Sequence, residues 1–333
     1  MDLAYVPLGS TGLQVSELAF GTWRFGRETD QGDFEIDERH AYDLLDAFEA
    51  HGGQFIDTAN AYGDGRSERW IGNWLAERDR EDVVVASKIY WPVGDDPNQR
   101  GLSRKHLREQ IDAILDRLDT DYLDVLYIHR WDDDTPVEEF MRTLDGFVRD
   151  GRVNYLGAST LWPNAWRVAK ANELAAREGY EPFTVTQPRY NLVSREIEGE
   201  YLDMCDDYGL GVVPWSPLAE GLLTGKYDRD GTPTAESIAS ESSTWTARYL
   251  DDRHFDVVDV VRAVAEEVDA TPAQVSLAWL CHHPQVTAPI VGARTVDQLE
   301  ENVRATTVSL TEAQFERLAD AMPGPYDGLS SAL

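Results

Sequence analysis

Cysteine, lysine and long apolar runs are what this chain has little of. Its two cysteines, Cys205 and Cys281, lie far apart and without the spacing of metal ligands. That excludes a disulfide framework and a clustered thiolate site, so no metal is expected, and it fits a reducing compartment. No stretch of 18 apolar residues occurs, so no transmembrane helix is expected. The opening residues, Met1-Asp2-Leu3-Ala4-Tyr5, carry neither a basic head nor an apolar run. No secretory signal is read there, and the expected location is cytoplasmic. A Gly-x-Gly-x-x-Gly phosphate loop after an early strand is also missing, which weighs against a doubly wound dinucleotide-binding sheet.

Lysine occurs only at Lys88, Lys105, Lys170 and Lys226, and 61 acidic residues face 30 basic ones, for a formal net charge of −31. Such a charge repels nucleic-acid phosphates and anionic membranes, so neither is expected as a partner. Acidic excess also accompanies disorder, but here 42% of the residues are hydrophobic and the acids are spread through patterned segments. The expectation is a folded protein with an acidic, lysine-poor surface, like that of a halophile's protein. In molar salt the Debye length shrinks to about 3 Å and the self-repulsion weakens.

What is present is an alternation of short apolar runs with longer amphipathic segments. The runs fall at residues 18–22, 55–60, 83–89, 122–129, 153–159, 184–190, 211–216 and 288–293. Their length and content suit strands buried on both faces. Between them stand helix signals: Ser103 ahead of Leu107, Ile111 and Ile114; Pro136 at the start of 137–149; Thr271-Pro272 ahead of Val275 and Leu280; and a final helix at 311–321. Eight strands, most followed by a helix and with no linker between them, predict an α/β fold. It is read as a (β/α)8 barrel of the TIM type, one domain over 1–333. Residues 3–15, with turns at Gly9 and Gly12, read as a β-hairpin ahead of the barrel. A long loop at about 219–254 follows the seventh strand, and loops of that length are usually functional or disordered.

In such a barrel the loops at the C-terminal ends of the strands build the reacting site. Asp57, Lys88 and His129 fall at that end of three consecutive predicted strands, and Tyr62 follows five residues after Asp57. Adjacent strands lie about 4.8 Å apart, so the four side chains can share one pocket. Their chemistries are complementary. A carbonyl that accepts hydride needs a proton donor at its oxygen, and a phenol with an ordinary pKa of about 10 needs a neighbouring cation to help it. Lys88 supplies the cation, Asp57 holds it, and His129 can hydrogen-bond the carbonyl oxygen. Each residue alone has a bland alternative: a turn cap for Asp57, a loop aromatic for Tyr62, a solvated strand end for Lys88, a core histidine for His129. Their shared register is what favours the joint reading.

The stretch Phe55-Ile56-Asp57-Thr58-Ala59-Asn60-Ala61-Tyr62-Gly63, with Ser67-Glu68 and Ile71-Gly72, resembles the signature of the aldo-keto reductase superfamily. So do Ala86-Ser87-Lys88, Leu123-Asp124 through Ile128-His129, and Gly151-Arg152-Val153 through Gly157-Ala158-Ser159. The similarity runs from Leu8-Gly9 to about Met322. Within the superfamily, Ile89-Tyr90-Trp91 and Gly101-Leu102-Ser103-Arg104-Lys105-His106 resemble the branch that holds potassium-channel β-subunits and bacterial relatives.

The resemblance implies NADP(H), or alternatively NAD(H), bound in an extended pose across the barrel mouth. It implies reduction of aldehydes or ketones, or the reverse oxidation, with Tyr62 as general acid. Carried over residue by residue, Gly21, Thr22 and Trp23 lie beside the nicotinamide, together with Asp57. Ser159 and Gln187 bond its carboxamide, and Trp215 stacks on its ring. Thr160 stands where many members have asparagine. Trp215, Ser216, Leu218, Gly221 and Lys226 belong to the segment that folds over the diphosphate, where backbone amides and an ammonium suit phosphate oxygens. Gly292, Arg294, Gln298, Glu301 and Asn302 match the adenosine site at a helix N-terminus, where Arg294 can grip a 2′-phosphate.

Trp23, Trp91, Trp131 and Trp162 follow predicted strands; Trp23, Trp91 and Trp131 are the candidates for an apolar substrate wall. A small carbonyl or alcohol is then the expected partner, and a homo-oligomer is open. Two other classes remain at this point. A redox-sensing regulatory subunit would bind cofactor with slow turnover. A metal-dependent sugar isomerase on the same barrel would need more strand-end ligands than Asp57 and His129.

Overall fold

The computed structural model describes residues 2–159, 164–229 and 247–324. Two short strands, β1 (Tyr5–Pro7) and β2 (Gln14–Ser16), form an antiparallel hairpin, Val6 opposite Val15. Eight parallel strands follow: β3 (Ala19–Gly21), β4 (Phe55–Asp57), β5 (Val84–Ile89), β6 (Leu123–Ile128), β7 (Val153–Ser159), β8 (Phe183–Gln187), β9 (Gly211–Val212) and β10 (Ile290–Val291). Their order is β10-β3-β4-β5-β6-β7-β8-β9. The ring closes where the Thr287 N–H donates to the Val212 carbonyl at 2.8 Å and the Ile290 N–H donates to the Pro214 carbonyl at 2.9 Å. This is the (β/α)8 barrel expected from the alternation of runs.

The last three strands are shorter than their apolar runs, and proline is the reason. Pro188, Pro214 and Pro289 lack the N–H that a regular ladder requires. Bonding continues around them, with the Val213 N–H on the Thr186 carbonyl at 2.9 Å and the Trp215 N–H on the Pro188 carbonyl at 2.9 Å.

Helices α1 (Glu38–Ala50), α2 (Arg66–Leu75), α3 (Arg104–Leu118), α4 (Val137–Arg149), α5 (Ala165–Glu178), α6 (Glu200–Tyr208), α7 (Asp252–Glu267), α8 (Pro272–His282), α9 (Val296–Arg304) and α10 (Glu312–Asp320) surround the sheet. Their starts follow local chemistry. Ser103 accepts from the His106 N–H, and Thr271 and Thr311 form capping boxes with Gln274 and Gln314, each cap contributing about 1 kcal/mol. The run from 219 begins as a 3-10 turn, Ala219–Thr224, and α7 takes over at Asp252. Residues 230–246 of the expected loop, with Thr160 and Trp162, lie outside the described residues.

Period-two alternation divides the core in two. Phe20, Ile56, Val85, Leu126 and Leu156 face the helices. Ala19, Phe55, Val84, Ala86, Val125, Tyr127, Val185 and Ile290 face inward, and Leu8 and Val15 of the hairpin pack onto that inner cluster. Among the described residues no helix is long and apolar enough to cross a membrane.

Candidate active site

The inward column continues upward with a change of chemistry. Two residues beyond Phe55 comes Asp57; beyond Val84 and Ala86 comes Lys88; beyond Val125 and Tyr127 comes His129; beyond Val185 comes Gln187. Apolar residues fill the barrel and these polar ones cap the fill. Lys88 pairs across the ladder with Tyr127, and the His129 N–H donates to the Ile89 carbonyl at 3.0 Å.

Lys88 is fully buried and all three donors of its ammonium are engaged. Nζ donates to Asp57 Oδ2 at 2.6 Å, to the Thr58 carbonyl at 2.8 Å and to the Tyr62 hydroxyl at 3.3 Å. Asp57 is 3% exposed, and its other oxygen, Oδ1, accepts from Gln187 Nε2 at 2.8 Å. Burial disfavours the lysine charge, but Asp57 and Tyr62 together more than offset it, and the Lys88 pKa stands above the ordinary value. An ammonium with its donors spent this way meets Tyr62 on a lone pair of the phenol oxygen. The phenolic hydrogen is then directed elsewhere.

Tyr62 opens a 3-10 turn, Tyr62–Gly65, in which Gly63 has φ 54°. A Cβ at Gly63 would lie 2.4 Å from the Phe25 carbonyl, so only glycine lets the turn close against that loop. Burial raises the Tyr62 pKa, Lys88 lowers it in part, and Asp57 raises it again; the net direction is upward. The phenol therefore stays protonated at neutral pH. The His129 ring sits edge-on to Tyr62, centroids 5.9 Å apart, and edge-on to Trp91 at 6.0 Å. Burial, then the Lys88 charge, pushes its pKa well below the usual range, so the imidazole is neutral. Its buried Nδ1 has no partner among the described residues.

Hydroxyls brace the floor of this group. The Thr22 N–H and Oγ1 both donate to the Asp57 carbonyl at 3.0 Å, and Ser67 Oγ bridges Thr22 Oγ1 at 2.7 Å and Thr58 Oγ1 at 2.8 Å. Behind it, buried Glu68 accepts from Ser87 Oγ at 2.5 Å and from Arg117 Nε at 2.6 Å, tying α2 to β5 and α3. Thr22 thus acts here through the Asp57 backbone, and its hydroxyl is already committed.

The remaining candidates line one rim. Ser159 and Gln187 are paired across β7 and β8, and Ser159 Oγ donates to the Gln187 carbonyl at 3.1 Å. Trp215 is half-buried and its buried indole N–H has no partner among the described residues. Ser216 and Gly221 both take positive φ, 53° and 98°, in the turn that carries Leu218. A Cβ at Gly221 would come within 3.2 Å of Lys226 Nζ, so the lysine passes directly over that glycine. At the start of α9, Gln298 Oε1 accepts from the Arg294 N–H at 2.9 Å, and Asn302 Nδ2 donates to the Gly292 carbonyl at 3.2 Å. The Glu301 carbonyl is held by Gln274 at 3.3 Å. Gly21 pairs with Asp57 across β3 and β4, and a Cβ on it would lie 2.6 Å from Ile290 Cγ2 of β10.

The three tryptophans separate. Trp91 is 37% exposed beside His129, and Trp23 is exposed with Arg27 4.2 Å over its ring. Trp131 is buried, packed edge-on against Phe140 of α4 at 5.2 Å. Two features were not visible in the sequence. Arg24 is a mostly buried cation beside the rim, and Tyr127 is a buried phenol beneath Asp57, with its pKa driven far up by burial and then by that carboxylate. Arg24's one sequence signal is its place next to Trp23 in a chain poor in bases.

Comparison with known proteins agrees with this architecture. The profile of the aldo/keto reductase family matches residues 17–322. "Uncharacterized oxidoreductase YrpG" of Bacillus subtilis is 37% identical across 97% of this chain and 97% of its own length. A "probable voltage-gated potassium channel subunit beta" of Arabidopsis thaliana is 38% identical, covering 92% of each chain. Norsolorinic acid reductase of Aspergillus flavus is 34% identical over 94% of this chain and 79% of its own. An eight-stranded barrel, a polar cap on its inner column and a match over nearly the whole length have one common explanation: the chain belongs to the aldo/keto reductase family of oxidoreductases.

Proposed function

We propose that this protein is an NADP(H)-dependent carbonyl reductase in which Asp57, Tyr62, Lys88 and His129 act on an aldehyde or ketone, or on the alcohol in reverse. The observation that carries the proposal is the full engagement of the Lys88 ammonium, which pins Tyr62 by its oxygen and leaves the phenolic proton for a substrate.

The rim fits an extended dinucleotide. The half-buried Trp215 ring offers a stacking face, and the positive-φ turn at Ser216 and Gly221 lets backbone approach a diphosphate closely. Lys226 and Arg294 add cations along the same line, and the arginine favours NADP(H) over NAD(H). Ser159 and the side-chain Oε1 of Gln187 would hold the carboxamide. When bound, the cofactor supplies or accepts hydride.

This chain's residues handle the proton. Tyr62 gives its phenolic proton to the carbonyl oxygen as charge builds there. Lys88 stabilises the phenolate left behind, and Asp57 keeps the ammonium charged and in place. Neutral His129 donates a hydrogen bond to the same oxygen and sets the substrate's orientation. General acid catalysis of this kind contributes about 10²–10⁴-fold in rate. Trp91 and Trp23 suit an apolar wall for the substrate's carbon skeleton. We take the chain as one domain over 1–333 acting in a salt-rich cytoplasm, with a net charge of −31 in support; assembly as a homo-oligomer is compatible with it.

A second reading, a cofactor-binding redox sensor that regulates a partner, is favoured by the plant relatives named as channel β-subunits, 38% and 39% identical. Oxidation of NADPH with a panel of small aldehydes in molar KCl separates the two. The reductase reading expects repeated turnover. Tight NADPH binding with a single turnover would favour the sensor.

A further inference from the structure

Arg24 has no part in the proton chemistry, and its position calls for a role. It stands three residues beyond the end of β3, as Arg294 stands three beyond the end of β10. These strands pair in parallel, Val291 opposite Phe20, so the two arginines leave neighbouring strands at the same end of the barrel. The chain beyond β9 runs beside them, since the Pro214 carbonyl accepts from the Ile290 N–H at 2.9 Å. Its turn ends at Lys226, lying over Gly221. Three consecutive strands of the closed ring, β9, β10 and β3, thus each deliver one cation to one rim.

Arg24 is also held in place. Its Nη1 pairs with Glu35 Oε2, and Glu35 Oε1 takes Arg27 at 2.8 Å. The guanidinium carbon lies 5.4 Å from the Trp23 ring centroid. An arginine has five N–H donors in a fixed fork, and Nε and Nη2 of Arg24 have no partner among the described residues. Burial lowers the pKa of Arg24, Glu35 opposes this, and Arg294 lowers it further. Partial burial, then Arg294, then Arg24 lowers that of Lys226. In a chain with twice as many acids as bases, the convergence of like charges is a costly arrangement that a phosphoryl group would turn favourable.

We propose that Arg24, aligned by Glu35, is a third anion-binding contact at the phosphate end of the cofactor, working beside Lys226 and Arg294. It rests on the reading above that this rim takes a dinucleotide. The ligand chemistry is a phosphoryl group, from either the diphosphate bridge or the ribose 2′-phosphate.

Dissociation constants for NADPH and NADH, measured by fluorescence titration at low and high KCl, test this with the full-length chain, Arg24→Met, Arg24→Lys and Glu35→Gln. Losing a charge-assisted contact of about 1.5–3 kcal/mol weakens binding about 10–100-fold, so Arg24→Met is expected to do so. Arg24→Lys should recover part of the loss. Glu35→Gln keeps the cation and loosens its anchor, and should cost only about threefold. The slope of log Kd against log salt should fall by about one in Arg24→Met. A loss confined to NADPH assigns the contact to the 2′-phosphate, and equal losses for both cofactors assign it to the diphosphate. Either result supports the proposal. Unchanged affinity for both cofactors in Arg24→Met would overturn it, as would equal weakening by Arg24→Met and Glu35→Gln, which marks simple anchoring of the loop. If the unaltered protein binds neither dinucleotide, the functional reading fails and this contact falls with it.

Discussion

Two groups of charges share the C-terminal rim of this barrel and are built on opposite principles. Asp57 and Lys88 are buried and of opposite sign, and between them they engage Thr58, Tyr62 and Gln187. Arg24, Lys226 and Arg294 are of one sign, and the Arg294 charge adds to burial in lowering the proton affinity of both Arg24 and Lys226. The first group spends its electrostatics on itself, and the result is a fixed geometry that presents one phenol. The second gathers three cations at one rim, which the reading proposed above gives to an incoming anion. Position in the ring separates the two groups: β4, β5 and β6 lead to Asp57, Lys88 and His129, while β9, β10 and β3 lead to the cations.

The contrast breaks most easily at Asp57. Asp57→Asn leaves the buried Lys88 ammonium without its counter-charge, a loss of about 3–5 kcal/mol. A large fall in melting temperature and loss of activity are expected. Lys226→Met should do the reverse to the cofactor-free protein: relief from Arg294 and Arg24 raises its melting temperature slightly, while NADPH affinity falls. Thermal melts with and without NADPH check both. Equal destabilisation by the two variants would erase the distinction.

Salt sharpens the same contrast. Raising KCl from 0.1 M to 1 M shortens the Debye length from about 10 Å to about 3 Å. Self-repulsion of the −31 chain weakens, so the melting temperature should rise, whereas the cation rim should lose affinity for NADPH. Melting temperature and Kd rising together, stability gained while affinity is lost, is the expected pattern; no change in either would count against the salt-adapted reading.

The smallest effect concerns pH. The folded-state pKa of His129 lies well below the ordinary value of about 6.5 because burial, and then Lys88, favour the neutral ring. Its contribution to stability is complete above pH 6.5 and is lost as pH falls from there through the folded value. His129→Gln should therefore flatten the acid side of the stability profile, measured by chemical denaturation between pH 7 and 5. An unchanged slope would mean that the ring charges freely.

Much of this was legible in the sequence because it depends on local chemistry. Strands such as β5 and β7 are apolar runs four to eight residues long, and Ser103, Thr271 and Thr311 announce their helices within one turn. Asp57, Lys88 and His129 could be aligned because each lies within one residue of a strand's C-terminal end, and period two carries each onto the inner face. What depends on non-sequential pairing was hidden. Arg24 meets Arg294 only because β10 closes onto β3, a contact between residues some 270 positions apart. Trp131 follows a strand just as Trp91 does, yet it turns onto Phe140 of α4 while Trp91 stays beside His129. The committed donors of Lys88 and Gln187 are likewise set by distances across strands.

The central claim is that Tyr62, pinned by Lys88, delivers the proton. Its most direct test is a single-turnover stopped-flow measurement of NADPH oxidation by a small aldehyde, comparing the unaltered protein with Tyr62→Phe from pH 6 to 9. A phenol with its pKa raised and a histidine with its pKa lowered both keep one protonation state across that range. The rate of the unaltered protein should therefore be flat. Tyr62→Phe should lose at least about 100-fold while NADPH affinity stays within about threefold. A Tyr62→Phe protein that keeps its rate would contradict the account.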